Sequence, residues 1–126
     1  MKDQGSNGTI GRILIAIVAL EHLFFLYLEM FQWTKPTGMR AFGTTPDAAE
    51  SSKVLAANQG LYNGFLAAGL VWSLLYPDPA IGRQIALFFL ACVIVAGVYG
   101  GITVKRSILL IQALPALIAA VAVLLT

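Results

Sequence analysis

The sequence predicts an all-α integral membrane protein: a four-transmembrane-helix bundle whose long second helix is preceded by a structured loop. Three observations predict it. Of 126 residues, 59% are hydrophobic and 11% charged, whereas soluble domains are usually less than about half apolar and about one-quarter charged. Four apolar runs can be drawn, each reaching the roughly 20 residues that a helix needs to cross a hydrocarbon core of about 30 Å. Five of the helix-breaking residues, Pro36, Gly38, Gly43, Pro77 and Pro79, fall between those runs, and Pro46 falls just before the second.

The first run covers about residues 9–33. Lys2 and Arg12 flank its start, but it continues through Phe24, Phe25 and Leu28 to Trp33 with no small-residue cleavage site suitably placed, so it reads as a retained span. The polar connection TKPTGMRAFGTTPDAAESSK follows. Within it, Thr45, Pro46, Asp47 and Glu50 form a helix start: a capping hydroxyl, a proline at the first helical position and acids in the first turn. The second helix is therefore expected over residues 46–76, ending where Pro77-Asp78-Pro79 stops it. The third is expected over 84–104 and the fourth over 107–126, separated by little more than Lys105 and Arg106. Four spans and their connections use nearly the whole length, which predicts one integral membrane domain over residues 1–126.

An even number of spans puts both termini on one side. The first and third connections carry Lys35, Arg40, Lys53, Lys105 and Arg106, against Lys2, Arg12 and Arg83 on the other side. That bias favours a multi-pass protein of the inner (plasma) membrane with the long first connection cytoplasmic and the termini outside. The net charge of +2 is spread over the ends of apolar runs rather than gathered in a patch, which argues against nucleic acid as a partner. Cys92 is single, so one chain offers no disulfide framework and no thiolate metal site. No nucleophile–base pair and no phosphate loop are present, and no cofactor is expected.

The chemistry lies in polar residues inside the spans. An ionised carboxylate at mid-bilayer costs about 2.5–3.5 kcal/mol on insertion scales, so Glu21, His22 and Glu29 suggest a site. Seven residues make nearly two helical turns, which puts His22 and Glu29 about 20° apart on one face and about 10 Å apart along the axis. Glu21 points about 100° away, toward another helix. If Trp33 marks the interface, Glu29 lies about 6 Å inside and His22 about 16 Å inside. The second helix enters from the same surface with Asn58, Gln59, Tyr62 and Asn63, the third leaves there with Tyr99 and Thr103, and the fourth returns with Gln112. Polar groups of all four helices are thus expected at comparable depth. Pro115 adds to this, because it removes the hydrogen bond to the Ile111 carbonyl and leaves an acceptor beside Gln112. One His and two Glu at this spacing do not make a standard single-helix chelate, so no metal is expected. Asn, Gln and Tyr can equally serve as plain interhelical hydrogen-bonding groups, contributing about 0.6 kcal/mol each.

Small residues recur at helical spacing, as Gly60, Gly64 and Ala68, as Gly97 and Gly101, and as Ala96 and Gly100. Such rows let helix backbones approach closely, within one chain or across a homodimer.

The strings EHLFFLYLEMFQW, NQGLYNGFLAAGLVW and VAGVYGGITVKRSILLIQALPA resemble the signature segments of a family of small bacterial four-helix membrane proteins catalogued as domain of unknown function family 1304. The resemblance covers nearly the whole chain and implies the fold class without an activity. A more distant likeness joins the first helix to four-helix membrane proteins of the sterol-isomerase and sigma-two-receptor group, which also set a His about two turns before an acid. It implies a kind of pocket rather than a reaction.

The favoured expectation is a polar-floored, aromatic-walled pocket open toward the first connection, holding a lipophilic small molecule or lipid with a polar group. Catalysis in it would be proton transfer by His22 and Glu29, with Asn58, Tyr62 and Asn63 orienting the substrate. Two other classes stay open: a small proton-coupled exporter acting as a dimer, and a structural subunit of a membrane complex.

Overall fold

The computed structural model describes residues 6–126, and among them every regular element is a helix. Lys2, counted above for orientation, lies outside the described residues. In chain order the elements are α1 (Ser6–Phe31), α2 (Pro36–Phe42), α3 (Pro46–Leu75), α4 (Pro79–Thr103), a π-helical turn (Leu109–Ala113) and α5 (Leu114–Leu124). Among the described residues, two stretches are long and apolar enough to cross a membrane, Gly8–Phe31 and Pro79–Thr103. The other two expected spans differ for separate reasons. Although α3 has 30 residues, or about 45 Å of helix, its mean hydropathy is lowered by Asp47, Glu50 and Lys53 and by the cluster Asn58, Gln59, Tyr62 and Asn63. The last apolar stretch is shorter, Leu109–Leu124.

Two compact units make up the chain, one formed by Leu20–Ala67 and the other by α1 up to Ala19 together with Ala68–Thr126. In the Leu20–Ala67 unit, the end of α1 lies against the first half of α3, with α2 between them in sequence. Gly60 and Gly64 set the spacing: a Cβ on Gly60 would come within 2.7 Å of Met30 Cγ and 3.0 Å of Glu29 Cβ, and one on Gly64 within 2.7 Å of Leu26 Cδ1. The connection after α1, expected as a loop, contains the helix α2. Pro36 fixes its start, Gly43 ends it at φ 64° in the left-handed region, and the Gly43 N–H donates to the Met39 carbonyl. This helix folds back so closely that a Cβ on Gly38 would lie 1.9 Å from the Gln32 carbonyl oxygen. The Trp33 and Phe42 rings meet with centroids 4.9 Å apart. At the start of α3, Ala48 N–H donates to Thr45 Oγ1 at 3.3 Å, ahead of Pro46 as the first helical residue.

The other unit is built on small residues as well. A Cβ on Gly97 would stand 2.6 Å from the Ala113 nitrogen, and one on Gly101 would stand 2.3 Å from Leu109 Cγ, so α4 runs in close contact with the π turn. Both glycine rows, Gly60 with Gly64 and Gly97 with Gly101, are thus filled by helices of this same chain. The start of α4 is Pro79 rather than the Gln84 read from apolarity, because Asp78 Oδ1 accepts from Ala80 N–H at 2.9 Å and Pro79 takes the first helical position. Ahead of Pro115 the helix is wound as a π turn in which Leu114 N–H donates to the Leu109 carbonyl. The proline has no N–H to give to Ile111, and the wider turn precedes it.

The two interiors differ in kind. Buried positions in the second unit are almost all apolar, among them Val18, Leu70, Leu90, Val93 and Ala119, with Ser73 the polar exception among the described residues. The Leu20–Ala67 unit buries His22, Glu29 and Asn63.

Candidate functional site: a carboxylate held by two amides

Gln59 and Asn63 are four residues apart on α3 and therefore one helical turn apart on nearly the same face. Glu29 stands opposite, in the last turns of α1, with 2% of its surface exposed. The Gln59 side-chain amide donates to Glu29 Oε2 at 2.5 Å, and that of Asn63 donates to Glu29 Oε1 at 2.6 Å. Each carboxylate oxygen thus has one donor, supplied by the neighbouring helix. Since a carboxylate oxygen carries two lone pairs, each keeps capacity for a further donor.

An open cleft of about 370 Å³ lies at this carboxylate. Glu29 contributes the acid; Met30, Phe31, Trp33, Val54 and Ala57 provide most of the apolar wall. Trp33 is fixed by its Nε1–H, which donates to Ser52 Oγ at 3.1 Å, while Ser52 Oγ donates in turn to the Ala48 carbonyl at 2.6 Å. Lys53 also lines the cleft, and its ammonium is paired with Glu50 one turn earlier on α3. A carboxyl group with free acceptor capacity below, a neutralised cation at the wall and an aromatic ring held in place suit an apolar molecule that carries a hydrogen-bond donor.

The remaining expected residues are placed as follows. His22 is wholly buried, edge-on to Phe25 at a centroid distance of 5.2 Å, with its Nδ1 3.9 Å from Glu21 Oε1. That Glu21 oxygen is buried without a hydrogen-bond partner. Neither residue lines the cleft. Asn58 and Tyr62 sit at the exposed surface, with the Tyr62 ring 55% exposed and near Phe65. Gln59 is itself exposed and reaches Glu29 with its long side chain; Tyr62 lies one residue from the buried Asn63, about 100° round the helix. In the other unit, Tyr99 is 70% exposed, the Thr103 hydroxyl donates to the Tyr99 carbonyl at 2.7 Å, and Gln112 is half-buried in the π turn. From the expected set, then, the structure brings together Glu29, Gln59 and Asn63, with Trp33 at the same cleft. Among the described residues, no group of three or more His, Cys, Asp or Glu side chains could hold a metal ion.

Sequence reasoning missed Ser52, Lys53 and Ala57. A signal for the last two was present. Lys53, Ala57, Gly60 and Gly64 follow one another at spacings of four, three and four, the stripe of a single helix face, and two glycines mark that face as the one in contact.

Comparison with known proteins supports the reading of the chain as a family member. A family model described as protein of unknown function, DUF1304, matches residues 16–124. An uncharacterized protein, YpaA, of Lactococcus lactis subsp. lactis (strain IL1403) is 33% identical over 102 residues, which cover 79% of this chain and 84% of that protein. No solved structure matches, so the likeness to the sterol-isomerase and sigma-two-receptor group gains no support from a known fold. The matched span includes Glu21, His22, Glu29, Gln59 and Asn63, and the chain belongs to the DUF1304 family.

Proposed function

We propose that this chain is a four-span protein of the plasma membrane whose Leu20–Ala67 unit binds a lipophilic small molecule, with the molecule's polar head on Glu29. Two observations favour the membrane. Large apolar side chains are exposed on all of the long helices, for example Leu20, Phe24, Val54, Phe65, Phe88, Val95 and Leu125, a pattern that water would penalise and lipid accommodates. The nearly buried Glu29 carboxyl of the Leu20–Ala67 unit is hydrogen-bonded on both oxygens by side chains of α3, as an acid removed from water requires.

The ligand reading is carried by one observation: a nearly buried carboxylate, fixed on both oxygens by α3, lines a cleft with an apolar wall. The cleft volume of about 370 Å³ falls within the range of roughly 300–1,000 Å³ usual for small-molecule sites. Gln59 and Asn63 set the direction of the remaining lone pairs, and an ammonium or hydroxyl head is the complement. Binding is favoured over acid–base catalysis because His22, the expected partner in proton transfer, does not line the cleft. It is favoured over a dimeric exporter because the chain's own helices fill the Gly60–Gly64 and Gly97–Gly101 rows.

The test uses the full chain in lipid nanodiscs with Trp72→Phe, which leaves Trp33 as the only indole. Dodecylammonium should change Trp33 emission saturably, and Glu29→Gln should weaken that binding about tenfold, the loss expected for one hydrogen bond to a charged group. Non-saturable partitioning that is the same for dodecylammonium and dodecanol, and unchanged by Glu29→Gln, would overturn the reading. Proton flux driven by dodecylammonium in sealed liposomes would replace it with the exporter.

A further inference from the structure

A second cleft, of about 320 Å³, lies within the unit formed by the start of α1 and Ala68–Thr126, and shares no residue with the Glu29 site. Two guanidinium groups line it, Arg12 and Arg83, together with the Tyr76 side chain and the apolar Ile15, Ala86 and Val123. Both arginines are tethered to helix ends. Arg12 Nη2 donates to the Leu74 carbonyl at 3.0 Å, and Arg83 Nε and Nη2 donate to the Val123 and Leu124 carbonyls at 3.3 and 3.4 Å. Those acceptors belong to the last turns of α3 and α5, where the Val123 carbonyl also accepts from the Thr126 N–H and hydroxyl.

Capping explains one arginine at each helix end. It does not explain why both share a cleft whose lining includes no Asp or Glu side chain. The acid closest in sequence, Asp78, spends its carboxylate on the Ala80 N–H, and among the described residues neither arginine has a carboxylate partner. Two like charges are thus held in one concavity, with guanidinium donors left over after the tethers are made. An anion between them relieves the repulsion and meets donors already held in position.

Depth identifies the anion. Arg12 and Arg83 stand in the second turns of the two apolar stretches long enough to cross a membrane, Gly8–Phe31 and Pro79–Thr103. Arginines so close to the end of a spanning helix carry their charge to headgroup level, where phospholipid phosphates are concentrated. The planar guanidinium fork matches phosphate oxygens.

We propose that Arg12 and Arg83 together bind the phosphodiester of an anionic phospholipid. The test is native mass spectrometry of the purified full chain, offered equimolar phosphatidylglycerol and phosphatidylcholine with the same acyl chains. The wild-type protein should retain phosphatidylglycerol about tenfold or more over phosphatidylcholine, as expected for charge-assisted hydrogen bonds, and the preference should shrink as salt is raised. Arg12→Gln with Arg83→Gln should abolish the preference. Because these side chains also tether helix ends, Arg12→Lys with Arg83→Lys is measured beside it; charge is kept and the fork lost, so the preference should persist at reduced affinity. Equal retention of the two lipids by the wild-type protein would overturn the proposal however the variants fold. Displacement of phosphatidylglycerol by millimolar inorganic phosphate, with protection against heat by phosphate alone, would overturn it in favour of a free anion.

Discussion

Replacing Asn63 by Leu isolates the bond on which the site depends. The side chains are similar in volume, so packing between α1 and α3 is largely kept while Glu29 Oε1 loses its donor at 2.6 Å. Two magnitudes compete here. An ordinary interhelical hydrogen bond in a membrane contributes about 0.6 kcal/mol on average and about 1.7 at most, whereas a hydrogen bond to a charged group contributes about 1.5–3 kcal/mol. Glu29 is 2% exposed and Asn63 8% exposed, so water cannot easily substitute for the missing donor, and the larger figure applies. Asn63→Leu should therefore destabilise the fold by about 2 kcal/mol, roughly a thirtyfold change in the folded-to-unfolded ratio. Glu29→Leu should cost a similar amount, but the double variant should cost much less than the sum, because both single changes remove the same bond and the loss of the Gln59 acceptor is common to Glu29→Leu and the double variant. Reversible unfolding in mixed micelles, followed by circular dichroism for the four proteins, yields the coupling energy. A coupling of about 0.6 kcal/mol or less would refute the reasoning, since that is the value of a pair with no special environment.

Four other substitutions test the framework. Gly97→Ala places a methyl 2.6 Å from the Ala113 backbone nitrogen, where no flexible side chain can yield; thermal unfolding should show a loss of about 1–3 kcal/mol. Trp33→Phe removes the bond to Ser52 Oγ at 3.1 Å and should cost about 1 kcal/mol, while Ser52→Ala in the wild-type background should shift the Trp33 emission. Asp78→Ala removes the cap of α4, with an expected loss of about 1 kcal/mol and faster amide exchange confined to the first turn of that helix.

The all-helical class was legible because apolar helices announce themselves by continuous apolarity, and a carboxyl group within one of them demands a partner. Reading depth from Trp33 placed Glu29 level with Gln59 and Asn63, and those are its hydrogen-bond partners in the structure. Less could be read where geometry depends on fit. The helix α2 exists because Gly38 can lie against the Gln32 carbonyl and Gly43 can turn left-handed, neither of which is visible in apolar periodicity. Convergence of polar groups was overestimated for Asn58 and Tyr62, since depth alone says nothing of helical phase and the step of one residue from Asn63 to Tyr62 carries a side chain from the interior to the surface. Arg12 and Arg83 were read only as topology signals, although each also ties down a helix end in the structure. A sequence shows which side chains carry charge; which carbonyls they reach depends on how distant helices meet.

The most direct measurement is a titration followed by nuclear magnetic resonance, observing the side-chain amide protons of Gln59 and Asn63 in the full chain held in nanodiscs. Dodecylammonium should move both pairs of resonances together and saturably, with dodecanol moving them less, because the head group shares the acid that these amides hold. Unchanged signals from the two amides while the probe shifts resonances elsewhere would contradict the assignment of Glu29 as the floor of a binding site.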